Sequence, residues 1–472
     1  MNEKNDSAPF FAVRTLPTLS PPGALPFLFV ADEVGDVALS REALSWANAL
    51  TQTRSLSSIE QWVGTIGRLH DWYVIGWQAR PLTTELLTDL VYSYLYFRLH
   101  GTIDPSGRTI VPSISWKPVR YETVQGEYSA IRSYVQHCNT AFGHIGLARR
   151  TTVINQSFIA QMLADKESSA RDFFAHLNAH RERWRTYFDF ADDMPRLAGG
   201  KRPIRSRVGF RQMMPIEEWV ALIDAEKNLV FRGIWMLSAF GGLRISEILN
   251  MWQVDVLPAS YRGRLFGFDD DTILVLRAHP CDSTYTTTVG DRRTTRRQHL
   301  ATKYGRVPRP DSIVSSERAG WKGTVFANDD RLLLPVFWLD ARMAELFADC
   351  VQQIMRFHQT QRTSASHPYL FVNMAARRDA LGEPQKISNV EAAFERACRR
   401  VGLEPYRYGR SIHAGRHLYK WMAKEMLGLG PDAIQLIMGH ASIESQDAYG
   451  RRAKEAADSI RMGQSKLETG RG

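Results

Sequence analysis

The chain has 472 residues, 44% of them hydrophobic, with 12 Trp and 22 Phe, which excludes a disordered or fibrous protein and leaves core for two or three domains. Lys and Arg number 60 against 50 Asp and Glu, a formal charge of +10 that suits a polyanionic partner and equally an ordinary basic enzyme. The cysteines Cys138, Cys281, Cys350 and Cys398 show no zinc spacing, there is no Walker A pattern, and no apolar run could span a bilayer, so a zinc module, a P-loop NTPase and a helical membrane protein are excluded.

Residues 1–45 carry Pro17, Pro21, Pro22 and Pro26 around short apolar runs such as LPFLFV. They read as an irregular N-terminal arm, either ordered on a partner or packed on its own domain. The polar start MNEKNDSAPF lacks an apolar leader core, so neither secretion nor membrane insertion is expected, and free thiols in a reducing cytoplasm follow. From Ser57 the pattern turns helical: Ser57 and Glu60 fit a capping box, and Ile59, Trp62, Val63, Ile66, Leu69 and Tyr73 recur at helical spacing. Further helices are predicted over Thr84–Leu99, Tyr121–Asn139 and Ser168–Phe190, giving an all-α domain over 46–195. Its aromatic run Tyr92, Tyr94, Tyr96 and Phe97 is either a stacking surface for bases or core packing, and core packing is favoured. The stretch 196–213 holds Gly199 and Gly200 with Arg196, Lys201, Arg202, Arg205, Arg207 and Arg211. That composition fits a hinge across a phosphate backbone, or a merely solvated linker.

A second domain is predicted over 214–460. PIEEWVALIDAEK is an amphipathic helix opened by a proline, and FRGIWMLSAF a buried one closed by Gly241 and Gly242. The glycine pair turns the chain so that Arg244 starts a new helix, with Glu247 one turn later as its ion-pair partner. TILVLRA and RLLLPVFW alternate as strands do, so the fold class is mainly α with a small antiparallel β-sheet, an α+β domain behind the all-α one. Within an insertion at about 280–325, Asp291–Pro310 has seven Lys and Arg and one acid, and reads as a DNA-contacting loop or a solvated one. Helices over Ala341–Met355 and Ser388–Arg400, with the buried segment His367–Asn373 between them, read as scaffold, and 461–472 as a polar tail.

Chemistry concentrates between Ser411 and Arg452. His413 and Arg416 are three apart, which places both on one helix face, and Ala414, Leu418, Trp421 and Met422 continue the helix as an apolar stripe. A second helix starts at Pro431 and stops at Gly439; His440 follows on a turn, and Ser442 can cap a short helix carrying Tyr449. A guanidinium, two imidazoles and a phenol suit a phosphodiester, whose non-bridging oxygens gain charge during displacement while the phenol supplies a nucleophile.

At these residues the sequence resembles the tyrosine recombinase, or phage integrase, family. The resemblance rests on GGLRISEIL at Gly241–Leu249 with Arg244, on IHAGRH at Ile412–His417 with His413 and Arg416, on MGH at Met438–His440, and on Tyr449, once each and in family order. Gly415 stands where the family usually has leucine, Gly450 where threonine or serine is usual, and the gap from Arg244 to His413 is long. The family implies a helical domain over 46–195 that clamps DNA, a catalytic domain with Tyr449 as nucleophile, and Arg244, Arg416 and His440 around the phosphate. His413 would be a proton acceptor or donor, and a lysine on a β-hairpin would be the acid. Between Arg244 and Lys386 the only lysines are Lys303 and Lys322, and Lys322, beside a glycine turn in AGWKGTVF, is preferred. The implied activity is site-specific recombination or integration for a mobile element through a 3′-phosphotyrosine, with no metal, nucleotide or other cofactor. The implied partners are double-stranded DNA, three further copies in a synaptic tetramer, and accessory recombination proteins, in a cytoplasmic, nucleoid-associated setting. Rival readings are a type IB topoisomerase and a catalytically silent DNA-binding protein on the same scaffold.

Overall fold

The computed structural model describes residues 10–18, 23–31, 35–103, 107–109, 111, 113–147, 214–286, 293–360, 367–374, 380–407, 409–439 and 456–464. The chain divides into two compact units, Met1–Ile204 and Arg205–Gly472, each with a hydrophobic core of its own.

In the first unit the expected irregular arm is instead an antiparallel sheet, β1 (Phe11–Pro17), β2 (Ala24–Ala31) and β3 (Val37–Leu39), in that order. The prolines do not prevent it: Pro17 ends β1, and Pro26 lies opposite Thr15 beyond the reach of β3, where one edge of β2 is unpaired. The sheet packs on its own unit. Leu28 is buried in the core, the Phe10 amide donates to Asp71 Oδ1 at 2.8 Å, and the Phe11 ring lies where a side chain on Gly67 would be. The unit thus adds a small sheet at residues 11–39 to the helices, while the named elements in the described part of 46–195 are helices, as expected.

Helix α1 (Arg41–Leu50) is followed by α2 (Leu56–Asp71), α3 (Thr84–His100) and α4 (Tyr121–Phe142). The predicted capping box at Ser57 is displaced by two residues, because Ser55 Oγ takes the Ser58 amide. In the aromatic run, Tyr94 is fully buried with its hydroxyl on Glu127 at 3.0 Å, and Phe97 packs 4.8 Å from Trp72, while Tyr96 stays exposed. Core packing thus accounts for the first two. The helix expected at Ser168–Phe190 and the basic linker 196–213 lie outside the described residues.

The second unit is organised around α6 (Leu229–Ala239), which follows α5 (Ile216–Ala225) and is apolar on every side: Ile234, Trp235, Met236 and Leu237 are all fully buried. The chain then forms α7 (Ile245–Leu249), β4 (Val256–Leu257), α8 (Tyr261–Phe266) and β5 (Leu274–Ala278). Strand β5 is the middle of the sheet, pairing antiparallel with β4 and, later in the chain, with Leu333–Pro335. The two strand segments expected from sequence are therefore neighbours.

The basic insertion between them is folded. A hairpin of β6 (Thr284–Thr286) and β7 (Arg293–Thr295) leads into α9 (Arg296–Tyr304), capped by Thr295. Its arginines are largely occupied inside the protein. Arg296 binds the buried Asp255 and covers the Trp252 ring at 4.4 Å, Arg297 reaches Asp311 at 2.6 Å, and Arg306 lies 3.7 Å from Glu383. Arg309 is buried and donates to the carbonyls of Glu317, Leu249 and Gln385 at 3.0, 2.9 and 2.7 Å. Arg296 and Arg309 are thereby taken into the interior, while the Arg297 side chain stays 50% exposed and that of Arg306 34%.

After β8 (Leu333–Pro335) come α10 (Ala341–Thr360), the buried segment through Leu370 and Phe371, α11 (Ile387–Arg400), α12 (Ala414–Trp421) and α13 (Pro431–Ile437). Residues 456–464 are helical and close on the same core through Ala456, Ala457 and Ile460, so the chain remains part of the fold past the start assigned to the polar tail. The four cysteines are free and buried, and burial pushes the Cys281 thiol up to about 12 and those of Cys350 and Cys398 up to about 11. Among the described residues no helix is long and apolar enough to cross a membrane.

Candidate active site

The site begins at the turn after α6. Gly242 adopts φ +70 against the Tyr419 ring, where a Cβ would come within 2.5 Å of that ring, so a side chain is excluded on both counts. Two residues on, Arg244 caps α7: its amide donates to Glu247 Oε2 at 2.8 Å and its Nη1 to Oε1 at 2.7 Å. The ion pair expected between Arg244 and Glu247 is present, and the Arg244 side chain remains 19% exposed while that of Glu247 is 1%.

Arg416 comes in from α12, some 170 residues later in the chain. Its guanidinium donates to the carbonyls of Gly242 and Met438 and lies 3.9 Å from Glu247. The helix reaches this position because Gly415 lies against α6: a Cβ there would stand 2.5 Å from Ser238 Oγ and 3.0 Å from the Ser238 carbonyl carbon. The departure from the family's usual leucine thus has a steric cause.

A third arginine, not expected from the sequence, completes the cluster. Arg277 projects from β5 fully buried, reaching Glu247 Oε2 at 3.0 Å and the carbonyls of Ile437 and Met438 at 3.1 and 3.2 Å. The only sequence signal was a charge inside the apolar strand LVLRA, where a buried arginine must find several acceptors. Three guanidiniums around one carboxylate leave an excess of positive charge. Burial would raise the Glu247 carboxyl, yet Arg277, Arg416 and Arg244 hold it down at about 2. Burial and then the field of Arg277 lower Arg416 to about 9, which still leaves it charged at neutral pH.

His413 stands at the N-terminal end of α12, exposed, with the His417 ring edge-on at 5.2 Å. Burial of part of its ring, then His417, Arg416, Arg244 and Lys322, depress its pKa, so the neutral imidazole is favoured. Of the charges that depress His413, that of Lys322 acts least. Lys322 is exposed on a segment without the strand expected next to it, and that segment is tied to the site by Thr324 Oγ1 donating to Gly439 O at 2.9 Å. Lys303 lies at the end of α9 over the Tyr304 ring, 5.3 Å from its centroid.

Helix α13 starts at Pro431 as expected, and Gly439 terminates it at φ +63. The carbonyl of Met438 accepts from both Arg277 and Arg416, so the backbone leading to His440 is fixed by the arginine cluster. His440, Ser442 and Tyr449 themselves lie outside the described residues. The structure thus gathers Arg244, Arg416, His413 and the charge of Lys322, and adds Arg277.

No family model and no curated protein matches the sequence. The chain is similar to solved recombinases and integrases. The site-specific recombinase XerH, bound to palindromic substrate DNA, is 12% identical with TM-score 0.42, over 89% of this chain and 85% of its own. The Tn1549 transposon integrase in complex with transposon right end DNA is 11% identical with TM-score 0.42, over 90% and 99%. Lambda integrase bound to DNA is 12% identical with TM-score 0.39, over 87% and 96%.

Proposed function

We propose that this chain is a tyrosine-type site-specific DNA recombinase or integrase. The observation that carries the reading is the gathering of Arg244, Arg277 and Arg416 on the single carboxylate of Glu247, beside a neutral His413 and the Met438 carbonyl from which the chain continues to His440. An excess of fixed guanidinium charge next to a proton-accepting imidazole suits a phosphodiester that gains negative charge on the way to its transition state.

In this reading Arg244 and Arg416, with His440, hold the non-bridging oxygens of the scissile phosphate. The Tyr449 oxygen attacks phosphorus and gives up its proton to His413, forming a 3′-phosphotyrosine. The bond to the 5′ oxygen breaks, and Lys322 protonates that oxygen as it leaves. The phosphotyrosine conserves the bond energy, so a 5′ hydroxyl from another strand reverses the step. Exchange of two duplexes needs four such sites, hence a tetramer on synapsed DNA, in the cytoplasm and on behalf of a mobile element.

The test is covalent trapping on a nicked duplex made from the DNA that flanks the gene. Wild type should form a denaturation-resistant protein–DNA adduct, and Tyr449→Phe should form none while binding the duplex with unchanged affinity. An adduct that persists in Tyr449→Phe would remove the nucleophile assignment. Binding without any adduct in the wild type would favour a silent DNA-binding protein.

A further inference from the structure

Lys322 sits in residues 318–326, which have no helix or strand of their own, so contacts outside the segment must fix where its ammonium points. Three do. Trp321 and Phe326 pack edge-on to His279, with ring centroids 5.8 and 6.1 Å away. Between them Thr324 turns inward, and its hydroxyl donates to Gly439 O at 2.9 Å.

Gly439 is itself held from behind. A Cβ on it would lie 2.1 Å from Thr324 Oγ1 and 3.0 Å from Arg277 Nη1, so the turn, the hydroxyl and the guanidinium are in direct contact. Arg277 grips the two preceding carbonyls, and Glu247 holds Arg277 in turn. The turn before His440 is therefore a fixed point, and the hydroxyl of Thr324, two residues from Lys322, ties the lysine segment to it.

We propose that Thr324 is a positioning residue: its hydrogen bond to Gly439, on a turn fixed by Arg277, sets the place of the Lys322 ammonium at the leaving 5′ oxygen. The inference rests on the recombinase reading and on Lys322 as the acid. One neutral hydrogen bond contributes on the order of 1 kcal/mol to stability, so its loss leaves the fold intact. A displacement of about 1 Å in a proton donor, by contrast, costs roughly a hundredfold in rate.

The experiment is single-turnover cleavage by the full-length chain on the nicked flanking duplex, prepared with either oxygen or sulfur at the bridging 5′ position. A thiolate leaves without being protonated, so a fault in delivering the proton disappears on the sulfur substrate. Thr324→Val should cleave the oxygen substrate at least about thirtyfold slower than wild type, bind the duplex within about twofold, and recover to within about threefold on sulfur. Thr324→Ser, which keeps the hydroxyl, should match wild type on both. The proposal is overturned if Thr324→Val is as fast as wild type on oxygen, if it is equally slow on both substrates, or if Thr324→Ser is as impaired as Thr324→Val. A missing wild-type adduct, or a Lys322→Ala variant that sulfur does not rescue, overturns it at its base. Failure of Thr324 alone is distinct: Lys322→Ala is then rescued and Thr324→Val is not.

Discussion

Glu247 is the residue on which the cluster depends, since without it three guanidiniums would face one another in a largely buried site. Arg277, Arg416 and Arg244 hold its carboxyl down at about 2, against 4.5 for a free glutamate. A depressed carboxylate contributes stability that is fully present above pH 4.5 and is lost as pH falls toward 2. Glu247→Gln should therefore lower stability at neutral pH by roughly 3 kcal/mol and flatten the loss between those limits, read by denaturant melts at a series of pH values. An unchanged acid limb would show that the carboxylate does not anchor the arginines. At this scale Arg244, His413 and Arg416 were legible because each lies in a short motif with fixed spacing. Arg277 was not, since nothing in LVLRA reveals that the acceptors of its guanidinium come from a helix end some 160 residues away. Thr324 was hidden for the same reason: its partner is a distant backbone carbonyl, and sequence spacing carries no record of that.

Among elements, the contact of α12 with α6 decides where Arg416 points, and Gly415 permits it. Gly415→Leu should cost about 3 kcal/mol by overpacking against Ser238, seen as a lower melting temperature with cleavage lost in parallel. A variant that melts like wild type would mean that the helices separate without penalty. In the insertion, some of the arginines that sequence reasoning offered to DNA or to solvent are instead taken up by the protein's own acceptors. Arginine density suggested contact with DNA, but density does not distinguish a guanidinium offered to solvent from one consumed by carbonyls, as Arg309 is. Arg309→Ala should thus lower thermal stability by several degrees while leaving duplex affinity within about threefold and the slope of affinity against salt unchanged. A shallower salt slope would return Arg309 to the list of phosphate contacts. Helices with strong periodicity, such as α3 and α4, were placed from sequence to within a few residues, because burial of one face fixes them locally.

At the scale of the whole molecule, the chain divides into two units, Met1–Ile204 and Arg205–Gly472, each with its own core. What sequence misjudged was the first 45 residues, where prolines suggested irregular chain and the alternation in ALPFLFVA was the truer signal. Leu28→Ala should accordingly destabilise the first unit by about 3 kcal/mol, measured by calorimetry on the full chain. A melting profile identical to wild type would restore the picture of an arm detached from the fold.

The burial of all four thiols has a practical corollary. Sulfhydryls that are both enclosed and poorly ionised react slowly with maleimides, so the natural chain is a quiet background for dye attachment. A cysteine introduced on the exposed face of either unit would be the fast-reacting position. Dyes could then be placed at chosen positions on either unit, with every native sulfur left in place.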